Sequence, residues 1–393
     1  MVKVTADVHY ESLYKHQEEL CGDRVVISYT DNSTVVVLAD GLGSGVKANI
    51  LATLTSTILS TLLVEGCELA EAIDTVSATL PTCQIRQVAY STFTAFQLFD
   101  HGEAILVEFD NPKTIILRNQ RECLVDRRVR EIRGRKIVES RFHVCVGDQI
   151  VMISDGILHA GLGTILNFGF ERKDIVNHIL ATSKPRDRAK DTARNLLYVV
   201  NDLYQNQPMD DSTVCVVHVL KRTKSVVMVG PPSEQEMDKE IVYQLLGASG
   251  KKIVCGGTTA QIVSRITQTP IEMSGELHFN NDLPPTAFIR GIDLVSEGVL
   301  TLGRVKDLLS EVVKDESKKE VLLESKATDG ATRMIKLFLQ ECSEIHFIVG
   351  LADNPAHSQV AYSPLSLSMK RRLIEQIAEY LRFCGKIVHL SAY

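Results

Sequence analysis

The order of strands and helices changes once along this chain, near residues 222–225, and that change limits the folds it can adopt. Before it, β-branched runs come in neighbouring pairs, such as VVISYT at 25–30 and TVVVLAD at 34–40, and helical stretches follow one another. This order is typical of antiparallel sheets in an α+β domain. After it, strands and helices alternate one by one, which predicts a largely parallel sheet. We therefore expect two domains, residues 1–222 and an α/β, Rossmann-like domain at 223–393.

Composition supports folded domains and disfavours several classes of function. The 393 residues are 45% hydrophobic and 23% charged, as in ordinary globular proteins. The net charge of −6 disfavours a nucleic-acid partner. The longest uncharged, apolar-leaning run, residues 49–64, is interrupted by Ser and Thr throughout, so we predict a buried helix there rather than a membrane span.

Cysteine usage and the N-terminal residues favour a cytoplasmic location. The nine cysteines, from Cys21 to Cys384, include no CxxC pair, which favours reduced thiols over a disulfide framework and gives no zinc-site spacing. Charged and polar residues such as Lys3 and Asp7 occur early, which disfavours a secretory signal. We expect a cytoplasmic protein without a membrane partner, and a homodimer is possible.

Four aspartates at the ends of predicted strands are the strongest chemical signal in the first domain. A single Asp-Gly is usually a turn, but four carboxylates gathered at strand ends of packed sheets repel one another and need cations. Oxygen ligands without His or Cys favour Mg²⁺ or Mn²⁺. The four residues are Asp23, Asp40, Asp155 and Asp210.

The motifs around these aspartates resemble those of the metal-dependent type 2C serine/threonine protein phosphatases, and most closely their bacterial stage II sporulation protein E-like branch. That branch typically has GD, DGMGxGxxA, SDG and DDxT in this order. Any one motif is weak evidence, but the chain has all four in order within residues 1–222. They read Gly22-Asp23, DGLGSGVKA from Asp40 to Ala48, Ser154-Asp155-Gly156, and DDST from Asp210 to Thr213.

The resemblance implies a fold and a reaction. The fold is an α/β/β/α sandwich. The reaction is hydrolysis of phosphoserine or phosphothreonine on a bacterial regulatory protein, by a water activated between two Mn²⁺ or Mg²⁺ ions and without a cysteine nucleophile. Asp40 would bridge the two ions, and Asp23 with the Gly41 carbonyl would complete one site. Asp155 and Asp210 would hold the other ion.

Three positions limit how far the resemblance extends. Asp211 stands where relatives often have Asn, so we place it at the metal site behind the direct ligands. Leu42 follows the Asp-Gly pair where animal members commonly have a His that protonates the leaving group. For binding substrate phosphate, Arg24 is the nearest candidate in sequence, although a surface charge is the simpler interpretation.

The Arg-rich segment 121–141 is either a pair of solvated edge strands or a basic docking patch.

The second domain has a weaker signal, for a ligand site. A Gly-Gly-Thr-Thr turn follows a predicted strand and opens a helix, whose N-terminal N–H groups could hold an anion. Because loops after parallel strands surface on one edge of a sheet, we predict one regulatory pocket there. The alternative is ordinary turns in a domain that docks the substrate protein. The predicted pocket residues are Gly256, Gly257, Thr258, Thr259, Asp293, Glu297, Asn354 and His357.

Three functions are compatible with these features. The first is an active phosphatase whose second domain senses a ligand or docks the substrate. The second is a catalytically idle signalling scaffold of the same fold, with a ligand-binding C-terminal domain. The third is a small-molecule enzyme in the second domain, regulated by the first. The complete carboxylate set favours the first, and the lack of a visible nucleophile–base set in the second domain disfavours the third.

Overall fold

The computed structural model of the protein describes residues 2–79, 91–132, 135–184, 187–273, 286–315, 317–352 and 365–393. The chain divides into two compact units, Met1–Lys221 and Arg222–Tyr393.

The first unit contains eleven described strands and five described helices. Its strands are β1 (Val4–Leu13), β2 (Asp23–Tyr29), β3 (Ser33–Gly41), β4 (Ser91–Phe99), β5 (Glu103–Phe109), β6 (Ile115–Arg118), β7 (Arg121–Glu122), β8 (Arg128–Ile132), β9 (Arg135–His143), β10 (Gln149–Ile153) and β11 (Ser212–Lys221). Its helices are α1 (Gly45–Val64), α2 (Leu69–Thr79), α3 (Asp155–His159), α4 (Arg172–Thr182) and α5 (Ala189–Leu203).

These strands form two antiparallel sheets that pack face to face. One sheet has the order β2-β3-β4-β5-β9-β8 and the other β1-β11-β10-β6-β7. A core of residues from both sheets, including Leu38, Phe96 and Met152, lies between them. The outer face of the first sheet packs on α1 and α2, and the outer face of the second packs on α4 and α5. The predicted α/β/β/α sandwich is therefore confirmed.

Strand β3 shows why this sequence requires two packed layers. Val35 and Val37 face the helices, whereas Val36 and Leu38 face the second sheet. Successive side chains of a strand point to opposite faces. An uninterrupted apolar run is therefore stable only where both faces of the sheet are covered.

The structure corrects two sequence expectations for this unit. By sequence order, the residues after Asn111 would continue the β4–β5 hairpin as a third strand, but β6 pairs with β10 in the other sheet. The chain crosses over at Asn111, whose amide donates to Thr94 Oγ1 (2.9 Å). Strand β1 was not predicted, because its residues are mostly half-buried and polar, yet it pairs with β11 over ten residues.

Helix α1 is long and apolar enough to cross a membrane by length and composition. Its residues Ala52, Leu59 and Leu63 are buried in the core against the six-stranded sheet. The helix therefore packs as a buried helix, as the sequence predicted. Core helices of folded domains are often as long and as apolar as this one.

The second unit alternates strands and helices. Its described strands are β12 (Lys224–Val229), β13 (Lys251–Cys255), β14 (Glu272–Met273), β15 (Ala287–Phe288), β16 (Leu294–Ser296), β17 (Glu344–Val349) and β18 (Ile387–Ala392). Its described helices are α6 (Asp238–Gly247), α7 (Gly257–Thr267), α8 (Val299–Lys314), α9 (Ser317–Glu324), α10 (Gly330–Lys336) and α11 (Leu365–Phe383), with a 3₁₀ turn at Gln235–Met237 and a π turn at Leu337–Glu341.

The sheet of this unit is largely parallel, as predicted. Its order is β14-β15-β16-β13-β12-β17-β18, and the strands from β16 to β18 are parallel. Strands β13 and β16 are added on one side of β12, and the later strands β17 and β18 are added on its other side. One face packs on α8, α10 and α11, and the other packs on α6 and α7.

Candidate metal centre and second-unit cavity

The first two aspartates of the predicted site lie directly opposite each other. Strands β2 and β3 are antiparallel, and their register pairs Asp23 with Asp40. Side chains at paired positions point to the same face, with Cβ atoms roughly 5 Å apart. Asp23 is 5% exposed, and neither of its carboxylate oxygens has a hydrogen-bond partner among the described residues.

The other two aspartates lie at the neighbouring ends of β10 and β11. The two ends are fastened by hydrogen bonds from Ser154 N to Thr213 O (3.0 Å) and from Thr213 N to Ser154 Oγ (2.8 Å). Asp155 then begins α3. One possible ligand atom from each of Asp155, His159 and Asp210 lies within 4.8 Å of the others.

Unlike its neighbour Asp210, Asp211 uses both carboxylate oxygens to accept hydrogen bonds from backbone N–H groups. Its Oδ1 accepts from Lys15 N (3.0 Å), and its Oδ2 accepts from Gly22 N (2.8 Å). Both oxygens therefore fasten the loop before β2, and this loop leads directly into Asp23. Asp211 therefore holds the backbone that leads into Asp23.

Motif glycines allow the site segments to approach closely. A Cβ at Gly41 would lie 2.0 Å from the Ala48 carbonyl oxygen of α1. A Cβ at Gly156 would lie 2.1 Å from the Asp211 carbonyl oxygen and 2.5 Å from Ser212 Oγ. Backbone packs against backbone at both positions. A side chain at Gly41 would push α1 away from the end of β3, and a side chain at Gly156 would push α3 away from the segment that carries Asp210 and Asp211.

The electrostatics of the cluster disfavour several negative charges at once. Burial raises the pKa of Asp23 to about 7, helped by the charges of Asp211 and Asp155 and opposed by the nearby Thr213 and Ser154 hydroxyls. Burial also raises the pKa of Asp40 to about 9, and the charges of the four other aspartates add to it. The pKa of Asp210 is raised by burial and by the charge of Asp155.

These observations fit a site for divalent cations. Buried carboxylate oxygens without partners are costly, and carboxylates that repel each other gain most from a bound cation. The described donors are oxygens with one histidine, a set that suits Mg²⁺ or Mn²⁺. Asp23, Asp40, Asp155 and Asp210 would hold such ions.

Comparison with known sequences decides the family. Residues 30–220 match the family model of stage II sporulation protein E (SpoIIE).

This segment belongs to the SpoIIE family. The predicted resemblance to that branch of the type 2C phosphatases is confirmed, and phosphatases of this kind use divalent metal ions. The match ends at residue 220, so the second unit lies outside it.

Solved structures similar to the chain share little sequence with it. The PP2C domain with a regulatory-domain fragment of Bacillus subtilis SpoIIE is 20% identical, with a TM-score of 0.49 over 57% of this chain and 65% of that one. The RsbU and RsbW domains of a Mycobacterium tuberculosis protein are 16% identical, with a TM-score of 0.45 over 62% and 69%. RsbX in complex with magnesium is 16% identical, with a TM-score of 0.39 over 56% and 100%. No curated protein matches the chain.

Sequence reasoning missed His159 of the SpoIIE-family unit. It lies four residues after Asp155, so a helix beginning at Asp155 brings both side chains to one face. That helix has only five residues, too few to show a hydrophobic period in the sequence. A signal was nevertheless present in the i, i+4 spacing of Asp155 and His159.

The arginines considered for substrate binding are placed elsewhere or already paired. Arg24 is exposed and follows the buried Asp23 on the same strand, so the two side chains point to opposite faces of the sheet. In the Arg-rich segment, Arg130 and Arg141 each bind Glu139 at 2.8 Å, and Arg127 binds Glu108. Internal carboxylates thus pair three arginines of this segment, which disfavours the docking-patch interpretation.

The second unit brings together part of its predicted pocket. A cavity of about 720 Å³ is lined by Gly256, Gly257, Thr258, Thr259 and Glu297, among other residues.

The predicted position of Asp293 is wrong. This residue comes before β16, at the amino end of the strand, where its carboxylate accepts from Lys252 N (2.9 Å) and pairs with Lys251 (3.3 Å). The carboxyl edge of the sheet is at the other end of these strands. Asn354 and His357 lie outside the described residues.

We predict that Gly156→Ala lowers the free energy of unfolding of the first unit by about 2–3 kcal/mol, because the new methyl group overpacks against backbone. Denaturant unfolding would measure this. Gly303→Ala, in α8 of the second unit, is the control and should leave the unfolding of the first unit unchanged, since a Cβ there has nothing within 4 Å and alanine favours a helix. Equal stability of Gly156→Ala and the wild type would contradict the close packing.

We also predict that Asp40→Asn stabilises the metal-free protein increasingly as pH rises. The pKa of Asp40 in the folded state, about 9 against an ordinary 3.8, means that the wild type loses stability as pH rises through this window. The amide stays neutral. In EDTA at pH 8 we expect a midpoint about 3 °C or more above wild type, and a smaller gain at pH 5.

The control for this experiment is Asp211→Asn, because the amide of asparagine keeps only one of the two oxygens that accept from Lys15 N and Gly22 N. This variant should be less stable than the wild type at both pH values. A gain from Asp40→Asn that is the same at pH 5 and pH 8 would rule out charge repulsion as its cause.

Proposed function

We propose that the first unit hydrolyses phosphoserine or phosphothreonine on a regulatory protein of a bacterial cytoplasm. The match of residues 30–220 to the SpoIIE family of serine/threonine phosphatases supports this proposal. The observation that carries it is the buried pair of Asp23 oxygens without partners, in register with Asp40. Such a pair is costly in a merely structural role and fits a cation site.

Two divalent cations, Mn²⁺ or Mg²⁺, would bind at this cluster and supply charge neutralisation for the phosphoryl group and an activated water. Asp23, Asp40, the Gly41 carbonyl, Asp155 and Asp210 would hold them.

Other residues of the chain position these ligands. Ser91 Oγ donates to the Asp40 carbonyl oxygen (2.8 Å), which fixes the end of β3 before the glycine turn. The buried Tyr204 hydroxyl donates to the Gly156 carbonyl oxygen (2.6 Å) and fixes the start of α3, which carries Asp155 and His159. Catalytic groups must be held within about 0.5 Å of their productive positions, and these two hydrogen bonds restrict the backbone that carries the ligands.

Exposed apolar side chains near the site motifs support a protein substrate. Val46 and Ile50 are 63% and 53% exposed on the first turns of α1, directly after the glycine turn. Phe168 is 80% exposed in the segment that follows α3. Val46 and Ile50 are four residues apart, so they lie on one face of the helix, and adjoining exposed apolar side chains are typical of protein interaction surfaces.

The test is hydrolysis of phosphoserine and phosphothreonine peptides by the full chain with Mn²⁺, with Mg²⁺ and with EDTA. We expect activity with at least one cation and none in EDTA. Asp40→Asn should reduce turnover about 100-fold or more with an unchanged circular dichroism spectrum. Cys145→Ser, which alters an exposed thiol, should keep full activity because no thiol takes part.

Two outcomes would contradict the proposal. Undiminished hydrolysis in EDTA would exclude the two-cation mechanism. A metal-loaded wild type that binds phosphopeptide without hydrolysing it would favour the alternative, a catalytically idle scaffold of the same fold.

A further inference from the structure

The cavity of the second unit lies at the edge of the sheet where α/β domains bind ligands. It is lined by Val229 and Cys255, the last residues of β12 and β13, and by Glu297, which directly follows β16. The chain leaves β12 on one side of the sheet and returns on its other side with β17. Ligands of open parallel sheets bind at the carboxyl ends of the strands, at this point of reversal.

The N-terminus of α7 opens into this cavity without an internal cap. Gly256 precedes the helix with φ of 113°, no side chain caps it, and its first turn has no acidic residue. The neighbouring α8 differs, because Glu297 Oε2 accepts from Leu300 N (3.0 Å) and Thr301 N (3.3 Å). The 11-residue α7 therefore offers its N–H groups and the positive end of its dipole to an anion.

A buried hydroxyl at the same turn lacks a partner. Thr259 lines the cavity and is 1% exposed, and its Oγ1 has no hydrogen-bond partner among the described residues. A Cβ on Gly256 would lie 3.1 Å from this oxygen, so the glycine leaves the space beside the hydroxyl open. Buried polar groups are normally hydrogen-bonded, and an unpaired one in a cavity wall indicates that a ligand supplies the bond.

The charged groups of the lining favour an anion. Lys370 Nζ donates to the Gly350 carbonyl oxygen (2.5 Å). It also lies close to Gly230, because a Cβ added at that glycine would be 2.6 Å from Nζ. Gly350 follows β17 and Gly230 follows β12, so the ammonium lies at the carboxyl ends of these two strands. Arg372 and Lys306 also line the cavity. Among the described lining residues Glu297 is the one carboxylate, and its Oε2 is turned to the amides of α8.

The rest of the wall is apolar and suits a ring. Cavities of roughly 300–1,000 Å³ bind small molecules, and this one measures about 720 Å³. An anion alone would leave most of it empty. The apolar lining side chains include Val229, Val299, Leu300, Leu302, Met369 and Leu373.

We infer that the second unit binds a nucleotide, with its phosphate at the Gly256–Thr259 turn and near Lys370, and its base against the apolar wall. The phosphate oxygens would accept from the N–H groups of the first turn of α7 and from the Thr259 hydroxyl. This site is independent of the carboxylate cluster and of the function proposed for the first unit.

The test is calorimetric titration of the full chain with AMP, ADP, ATP and NAD⁺, and with adenosine and inorganic phosphate as partial probes. All titrations are run in EDTA, so that no cation draws phosphate to the first unit. We expect at least one nucleotide to bind with a Kd below 1 mM, and adenosine and inorganic phosphate each to bind at least 10-fold more weakly.

Variants locate the bound nucleotide. Thr259→Val removes the unpartnered hydroxyl and keeps the side-chain volume, so we expect a thermal midpoint at or above that of the wild type and a Kd raised about 10-fold. Lys370→Met should weaken binding by a similar factor. Thr301→Val is the matched control, since Thr301 is also the third residue of its helix and is buried but does not line the cavity; it should leave Kd unchanged.

Three results would overturn the inference. These are no binding of any nucleotide at 1 mM, adenosine or inorganic phosphate binding as tightly as the nucleotides, or a Kd that neither Thr259→Val nor Lys370→Met changes.

Discussion

Repulsion between carboxylates buried at neighbouring strand ends is the constraint on which the first unit depends. Asp23 and Asp40 are paired in register, and the charges of Asp155 and Asp210 also act on Asp40. Folding brings these groups together against their own electrostatics. The surrounding packing must therefore hold them, and backbone contacts at Gly41 and Gly156 that exclude a side chain show how tightly it does so.

The two units share a physical signature despite their different folds. In each, a buried polar side chain lacks a partner among the described residues, Asp23 in one and Thr259 in the other. Asp23 is the first residue of β2, directly after Gly22, and Thr259 is the third residue of α7, directly after the glycine turn that follows β13. The surroundings differ in charge, with carboxylates around Asp23 and cationic side chains in the cavity that Thr259 lines. A cation suits the first and a phosphate the second.

The sequence predicts the parts of this molecule that local pattern controls. The apolar alternation of β3 and the change of strand and helix order near residue 222 indicate both sheet types. The prediction fails where pairing is decided by distant residues. Strand β1 has a weak apolar pattern and is stabilised by β11. Strand β6 joins a different sheet from β5, the strand that precedes it in sequence. Asp293 was misplaced because its strand begins after it, a boundary shift of a few residues.

The measurement that tests the central claim most directly is anomalous X-ray scattering at the manganese edge, from crystals of the full chain grown in Mn²⁺. The account predicts two anomalous peaks about 4 Å apart, bordered by Asp23, Asp40, Asp155 and Asp210. Crystals saturated with Mn²⁺ that show no peak at this cluster would contradict it.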